Sequence, residues 1–209
     1  MTTFILKIVL AYLLGSVSGS LLLGKIKHVD IRRLGSGNAG GTNAFRTQGL
    51  LFGLGVVIVD IGKGFLASWW IPTLSFGEPA TGMDTGLLMM ACSLAAVLGH
   101  CYPIWHGFQG GKGAATVIGG LIIIEPWLLL PVIVTWLVIL LITGYVGLAT
   151  VVAGFSLVPA AWYLGSPVLL AFSTVIAFFL LFTHRSNMRN LRDGTEYRFR
   201  TLQRFSRKH

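Results

Sequence analysis

The chain has 209 residues, of which 54% are hydrophobic and only 11% charged, against roughly 25% charged in an ordinary soluble domain. A chain of this size cannot hide that much apolar surface in a water-facing fold, so a disordered chain and a soluble globular one are both excluded, and lipid must solvate most of it. Lys and Arg number 16 against 7 Asp and Glu, a formal charge of +9; in so apolar a chain the positive-inside bias is the main cause, and it leaves room for an anionic substrate.

A straight crossing needs roughly 20 apolar residues. The first predicted membrane helix runs from Phe4 to Leu23. With only Lys7 near its start and no small-residue cleavage site, it is expected to be retained rather than removed as a signal peptide. A polar stretch, Lys25 to Gln48, precedes a second helix from about Leu50 to Ile71. That helix carries Asp60 and Lys63, an i,i+3 pair that lowers the cost of placing two charges in lipid. A connection containing Pro72, Glu78, Pro79 and Asp84 leads to a third helix, Thr85 to Leu98, and then to a second polar, Gly-rich stretch from His100 to Lys112.

From Ala114 to Thr183 the chain is apolar but punctuated at Glu125-Pro126, Thr143-Gly144-Tyr145 and Gly165-Ser166-Pro167. Taken as helix ends, these breaks give four short helices here and seven in all; taken as kinks, they give two long helices and five in all. The expected fold class is therefore all-α: a polytopic membrane protein of seven transmembrane helices, with five as the alternative, forming one domain over residues 1–209 with a basic C-terminal segment, 184–209. Either count is odd, so the termini fall on opposite sides. Alternating the helices gathers Lys25, Lys27, Arg32, Arg33 and Arg46, then Lys112, then the tail basic residues Arg185, Arg189, Arg192, Arg198, Arg200, Arg204, Arg207 and Lys208 on one face. That face is expected to be cytoplasmic, with the N-terminus outside, and the opposite face receives Glu78, Asp84 and Glu125. The tail suits a surface segment on anionic lipid or a simple topology signal.

Three polar stretches carry the chemistry. In Gly35-Ser36-Gly37-Asn38-Ala39-Gly40-Gly41-Thr42-Asn43-Ala44-Phe45-Arg46, glycines interleaved with small polar residues let the backbone turn its N–H groups inward as a nest for an anion, to which Arg46 adds a bidentate grip. In Gly99-His100-Cys101-Tyr102-Pro103 and the following Phe108-Gln109-Gly110-Gly111-Lys112-Gly113, a Gly-Gly-Lys-Gly run opens an apolar helix and resembles a phosphate cradle with Lys112 as the point charge; the spacing is not that of the nucleotide P-loop. His184 to Glu196 directly follows the last apolar run, so His184 lies at the membrane boundary and shares a helix face with Asn187. Thr150, near the inner end of its segment, suits a packing hydroxyl better than a ligand. Cys92 and Cys101 read as reduced, and neither a His/Cys cluster nor an Asp-rich motif offers a metal site. The residues alone thus point to phosphate-bearing, lipidic ligands at a basic face.

Together these stretches resemble the motifs of the acyl-phosphate-dependent glycerol-3-phosphate acyltransferases of bacteria, the PlsY family. Gly35 to Arg46 is similar to that family's GSGNxGxTN with a following Arg, Gly99 to Gly113 to its GHxFP and FKGGKG, His184 to Glu196 to its HRxNxxRLxxGxE, and Asp60-Lys63 to its DxxKG. Gln109 and Asn190 stand where the family has basic residues, and Gly144 and Gly147 where it has polar ones. The resemblance implies transfer of an acyl group from acyl phosphate to the 1-hydroxyl of sn-glycerol 3-phosphate, giving lysophosphatidic acid and phosphate at the bacterial inner membrane, without a cofactor, a metal or nucleic acid. It implies catalytic roles for Ser36, Arg46, Lys112, His184 and Asn187. Substrate binding would fall to Gly35, Gly37, Asn38, Gly40, Thr42, Asn43, Gly110, Gly111 and Gly113, with Thr150 counted among them, and structural support to His100, Glu196, Asp60 and Lys63. The competing class is a membrane transporter of small phosphorylated anions, which would place its polar groups near the midplane on broken helices rather than gather them on one face.

Overall fold

The computed structural model describes residues 2–76 and 84–199. Glu78, Pro79, Arg200, Arg204, Arg207 and Lys208, all used in the topology reading, lie outside the described residues. Among those described, every regular element is helical. The chain forms two compact units, Met1–Pro126 and Trp127–His209.

In the first unit, α1 (Thr2–Gly15) and α2 (Gly19–Ile26) take the place of the single helix expected from Phe4 to Leu23, and they meet at a 44° bend. The polar stretch that follows contains a tight turn, Ile31–Arg33, and α3 (Gly41–Gln48). Next come α4 (Leu50–Trp69), α5 (Thr85–Cys101) and α6 (Ala114–Ile124). Small residues let these helices touch through their backbones, the packing device available where lipid removes the hydrophobic drive between helices. A Cβ on Gly64 would stand 2.9 Å from the Thr116 carbonyl carbon, one on Gly119 2.7 Å from the Phe65 nitrogen, and one on Gly99 2.9 Å from the Ser16 nitrogen. The α4–α6 and α1–α5 contacts are therefore closed to larger side chains.

The α1–α2 break is stabilised by charge. Ending α1 frees backbone carbonyls, and starting α2 frees amides. Lys63 Nζ donates to the carbonyls of Gly15 (2.8 Å) and Val17 (2.6 Å), while Asp60 Oδ1 accepts from the Gly19 amide (3.3 Å). The two side chains are 3.2 Å apart and almost wholly buried. The cation caps a helix C-terminus and the anion a helix N-terminus, the signs that the helix dipoles favour.

In the second unit, α7 (Leu129–Thr143), α8 (Val146–Tyr163) and α9 (Pro167–Thr183) succeed one another, followed at a 55° bend by α10 (Arg185–Arg192). The three breaks predicted between Ala114 and Thr183 are helix ends, not kinks. Glu125 turns to an extended backbone, Gly144 and Gly165 take left-handed conformations, and the Ser166 hydroxyl caps α9 by accepting from the Leu169 amide (3.3 Å) ahead of Pro167. A proline that was not singled out, Pro159, lies inside α8 without ending it. α8 packs between α7 and α9, and α7 presents no buried residue. Among the described residues four helices are long and apolar enough to cross a membrane alone, and the two bent pairs could each add a span; α6, at 11 residues, is shorter than a straight crossing requires.

Candidate active site

The first motif is organised from within by Asn43. Its side chain is 2% exposed, and its amide nitrogen donates to the carbonyls of Ile31 (3.2 Å), Leu34 (2.9 Å) and Asn38 (3.0 Å), while its oxygen accepts from the Ser36 amide (3.0 Å). Asn43, expected to bind substrate, is therefore turned inward with its hydrogen-bonding capacity used by the loop. Gly35 and Gly37 have φ of +56° and +73°, and the Gly37 amide donates to the Leu34 carbonyl (3.0 Å). This narrows the expected nest, because the Ser36 and Gly37 amides belong to the loop's own bonds. The backbone donors suited to an anion are instead those of the first turn of α3, which have no partner within the helix. Gly40 caps that turn, and Thr42 and Arg46 follow at i,i+4 spacing on one face. Asn38 packs its amide nitrogen 2.7 Å from where a Gly40 Cβ would be. Ser36 and Thr42 are exposed and Arg46 half-buried.

The second motif rests on His100. The His100 and Cys101 carbonyls accept from the amides of Gly111 (3.1 Å) and Gly110 (3.2 Å). A Cβ on Gly110 would strike the His100 carbonyl oxygen, and one on Gly111 the imidazole itself. Only glycine fits at either position, so these residues build the loop that carries Lys112, whatever they also bind. His100 Nδ1 stands 3.4 Å from Asp60 Oδ1, which extends the buried Asp60–Lys63 pair to this loop. His100, Asp60 and Lys63, expected as structural support, stand together in these contacts. The charges within α4 thus face backbone groups and each other. Gly113, with φ of +93°, begins α6, and Lys112 just before it is half-buried.

Sequence reasoning missed the residue that joins these two motifs. Arg32 was counted only as a basic residue of the inner face. Its Nε and one terminal nitrogen donate to Asp30 Oδ1 (3.0 Å) and Oδ2 (2.9 Å), and the other terminal nitrogen donates to the His106 carbonyl (3.2 Å). The Arg32 guanidinium holds the Asp30 carboxyl below its ordinary range, because the ionised form accepts its hydrogen bonds. The Asp30-Ile31-Arg32 spacing just ahead of the glycines was the available signal.

The third motif is a structure of its own in the second unit. His184, 6% exposed, closes α9 with Nδ1 2.8 Å from the Leu180 carbonyl. A carbonyl only accepts, so Nδ1 carries the proton and the lone pair of the neutral ring resides on Nε2. Asn187 Nδ2 donates to Glu196 Oε1 at 2.6 Å. Gly147 makes room for it, since a Cβ there would stand 2.7 Å from Asn187 Cβ. Past Gly194 (φ +71°) the chain docks on the α7–α8 turn: the Phe199 amide donates to the Gly144 carbonyl (2.9 Å), and Arg198 Nε to the Thr143 carbonyl (2.9 Å). Gly144 and Gly147, noted in the sequence as standing where the family has polar residues, are the places where this segment and Asn187 pack. Thr150 donates to the Val146 carbonyl (2.9 Å) and accepts from the Trp136 indole (3.2 Å), which ties α7 to α8 and favours packing over ligand binding. Among the described residues no group of three His, Cys, Asp or Glu could hold a metal ion.

The profile described as Glycerol-3-phosphate acyltransferase matches residues 5–194. The chain belongs to this acyltransferase family. The glycerol-3-phosphate acyltransferase of Chlorobaculum tepidum is 37% identical over 95% of this chain and 97% of its own length, and that of Aquifex aeolicus 39% identical over 92% and 97%. Among solved structures, PlsY (YgiH), an integral membrane glycerol 3-phosphate acyltransferase, is similar in its glycerol 3-phosphate form with TM-score 0.84 and 34% identity over 97% of this chain and 98% of that one. Its lysophosphatidic acid form gives TM-score 0.82 over 98% and 99%. The chain is thus a multi-pass membrane acyltransferase.

Gly147→Ala should push the Asn187 side chain off its seat and break the bond to Glu196. We expect kcat for acyl transfer to fall roughly tenfold or more, the scale of a small misplacement in an active site, with the KM of glycerol 3-phosphate little changed. Steady-state kinetics on the purified variant check this; full kcat would show that the placement of Asn187 is not needed for turnover.

Proposed function

We propose that this acyltransferase takes its acyl group from acyl phosphate and places it on the 1-hydroxyl of sn-glycerol 3-phosphate, releasing lysophosphatidic acid and inorganic phosphate. The observation that carries this reading is the pair of basic, glycine-built loops held together in the first unit of a lipid-solvated chain. Together they suit two phosphates, and the reaction brings together two phosphate-bearing reactants of which one is a lipid. Solved relatives in glycerol 3-phosphate and lysophosphatidic acid forms support the acceptor and the product.

In the proposed reaction the glycerol hydroxyl oxygen attacks the acyl carbonyl carbon, the bond to the phosphate oxygen breaks, and phosphate leaves with the electron pair. Acyl phosphate is an activated anhydride, so no enzyme ester is required. Ser36 and the first turn of α3 hold the acyl phosphate, and Arg46 and Lys112 hold the acceptor's phosphate. Asn187 orients the third motif. The hydroxyl proton passes to His184 Nε2 or to a phosphate oxygen, whose second pKa is about 6 in phosphorylated side chains. Holding two reactants in place lowers the barrier by roughly 7–11 kcal/mol. We place the motifs at the cytoplasmic face of the inner membrane, with the N-terminus outside and the C-terminus inside, from the distribution of basic residues.

Lys112→Ala should raise the KM for glycerol 3-phosphate by the equivalent of about 2–5 kcal/mol, the cost of truncating one partner of a buried charged contact. Lys112→Arg should recover only part, because a planar fork is not a point charge. An unchanged KM in the Ala variant takes Lys112 out of acceptor binding.

Incubating the enzyme with acyl-labelled acyl phosphate alone, then denaturing it, tests direct transfer. We expect no label on protein; stoichiometric label on Ser36 would establish an acyl-enzyme. If none is found, an unaltered pH–rate profile in His184→Ala assigns the proton to the substrate phosphate.

Topology is checked with an impermeant thiol reagent, since the native Cys92 and Cys101 are buried. Ser36→Cys should be protected from outside, and Gly82→Cys, in the connection beyond the described residues, should be labelled. The opposite pattern reverses the orientation.

A further inference from the structure

Direct transfer between two bound reactants depends on how far apart their holders stand. One side chain links the two loops that would hold them. Arg32 lies in the Ile31–Arg33 turn, and that turn is fixed to α3: Ile31 is fully buried beside Ala44, Phe52 and Val56, and its carbonyl accepts from Asn43. On the other side, the His106 carbonyl accepts from Arg32 (3.2 Å) and from the Gln109 amide (3.4 Å), at the start of the run that leads to Lys112. Asp30 holds the guanidinium by two oxygens and also accepts from the Arg32 amide (3.0 Å), so the fork has one orientation. A lone ion pair this exposed contributes little to stability. A bidentate pair with a third bond from the same plane fixes geometry instead.

We infer that Arg32 is a positioning residue: braced by Asp30, its guanidinium grips the His106 carbonyl and sets the separation between the Gly35–Arg46 loop and the Gly99–Gly113 loop. The inference rests on the proposed reaction for its consequence but not for its geometry. A lysine at position 32 supplies charge without the fork, so it can satisfy the carboxylate or the carbonyl but not both in this arrangement. Arg33, the exposed next residue, has the same charge and makes none of these bonds, which makes it the control.

Nitroxide labels at Leu34→Cys and Gln109→Cys, both exposed, report the loop separation by pulsed electron resonance on the purified full-length protein. Acyl transfer and thermal unfolding are measured on the same substitutions without labels. The wild type and Arg33→Ala should give one narrow distance distribution. Arg32→Ala and Asp30→Asn should broaden or shift it, with the melting temperature unchanged, kcat down roughly a hundredfold and the KM of each substrate little altered; Arg32→Lys should fall between. An unchanged distribution in Arg32→Ala or, if that variant does not fold, in Asp30→Asn overturns the inference even if activity is lost, because Arg32 would then act on substrate directly. Equal broadening in Arg33→Ala also overturns it. Distances that respond as expected in a protein without acyl transfer uphold the clamp and reject the proposed reaction.

Discussion

The first unit depends on a charge pair placed where charges are costly. Asp60 and Lys63 lie mid-way along an apolar helix, and a single charge at the centre of a membrane helix costs about 2.5–3.5 kcal/mol on insertion scales. Here each charge meets backbone groups that would otherwise be stranded by the break between Gly15 and Gly19. The break needs the pair to satisfy its carbonyls and amide, and the pair needs the break to be solvated. Removing one member of such a buried pair costs about 3–5 kcal/mol, because it exposes the other charge and a helix end together. The network then reaches His100, so the loop that carries Lys112 is anchored in the membrane-embedded part of the fold.

The glycine-rich loops owe their form less to flexibility than to what lies beneath them. Asn43 gathers four backbone groups of its own loop, and His100 lies against Gly110 and Gly111 so closely that a Cβ on either would collide with it. In both cases a buried polar side chain is the mould and the loop is cast over it. The exposed or half-buried residues left over, Ser36, Thr42, Arg46 and Lys112, are those whose side chains suit phosphate. A rigid loop of this kind loses little entropy on binding, which is the advantage of preorganised positioning.

The second unit solves the same problem differently. α9 ends at a histidine whose ring bonds back to its own last turn, and α10 is held by Glu196 and by the segment that docks on Thr143 and Gly144. The glycines at 144 and 147 leave room for that docking. A departure from the family pattern that looks in the sequence like lost chemistry is, in the fold, a change in packing.

Composition and the length of the apolar runs by themselves determined that this chain is a helical membrane protein: 54% hydrophobic residues leave lipid as the solvent that fits, and runs of roughly 20 residues suit helices, which satisfy their own backbone. The breaks near Glu125, Gly144 and Ser166 were legible because Pro and Gly act locally, through fixed dihedrals and missing donors; that they end the helices rather than kink them was decided by the fold. The three motifs were legible as short, ordered runs of residues whose spacing matches a known family. Only the tertiary structure decided the break at Gly15, since no proline marks it and its stabilising charges lie more than 40 residues away in sequence. Only the fold, likewise, turned Asn43 inward and joined Asp30 and Arg32 to a carbonyl 74 residues on. Each of these depends on hydrogen bonds whose partners are chosen by where the chain turns or returns, which local residue patterns do not encode.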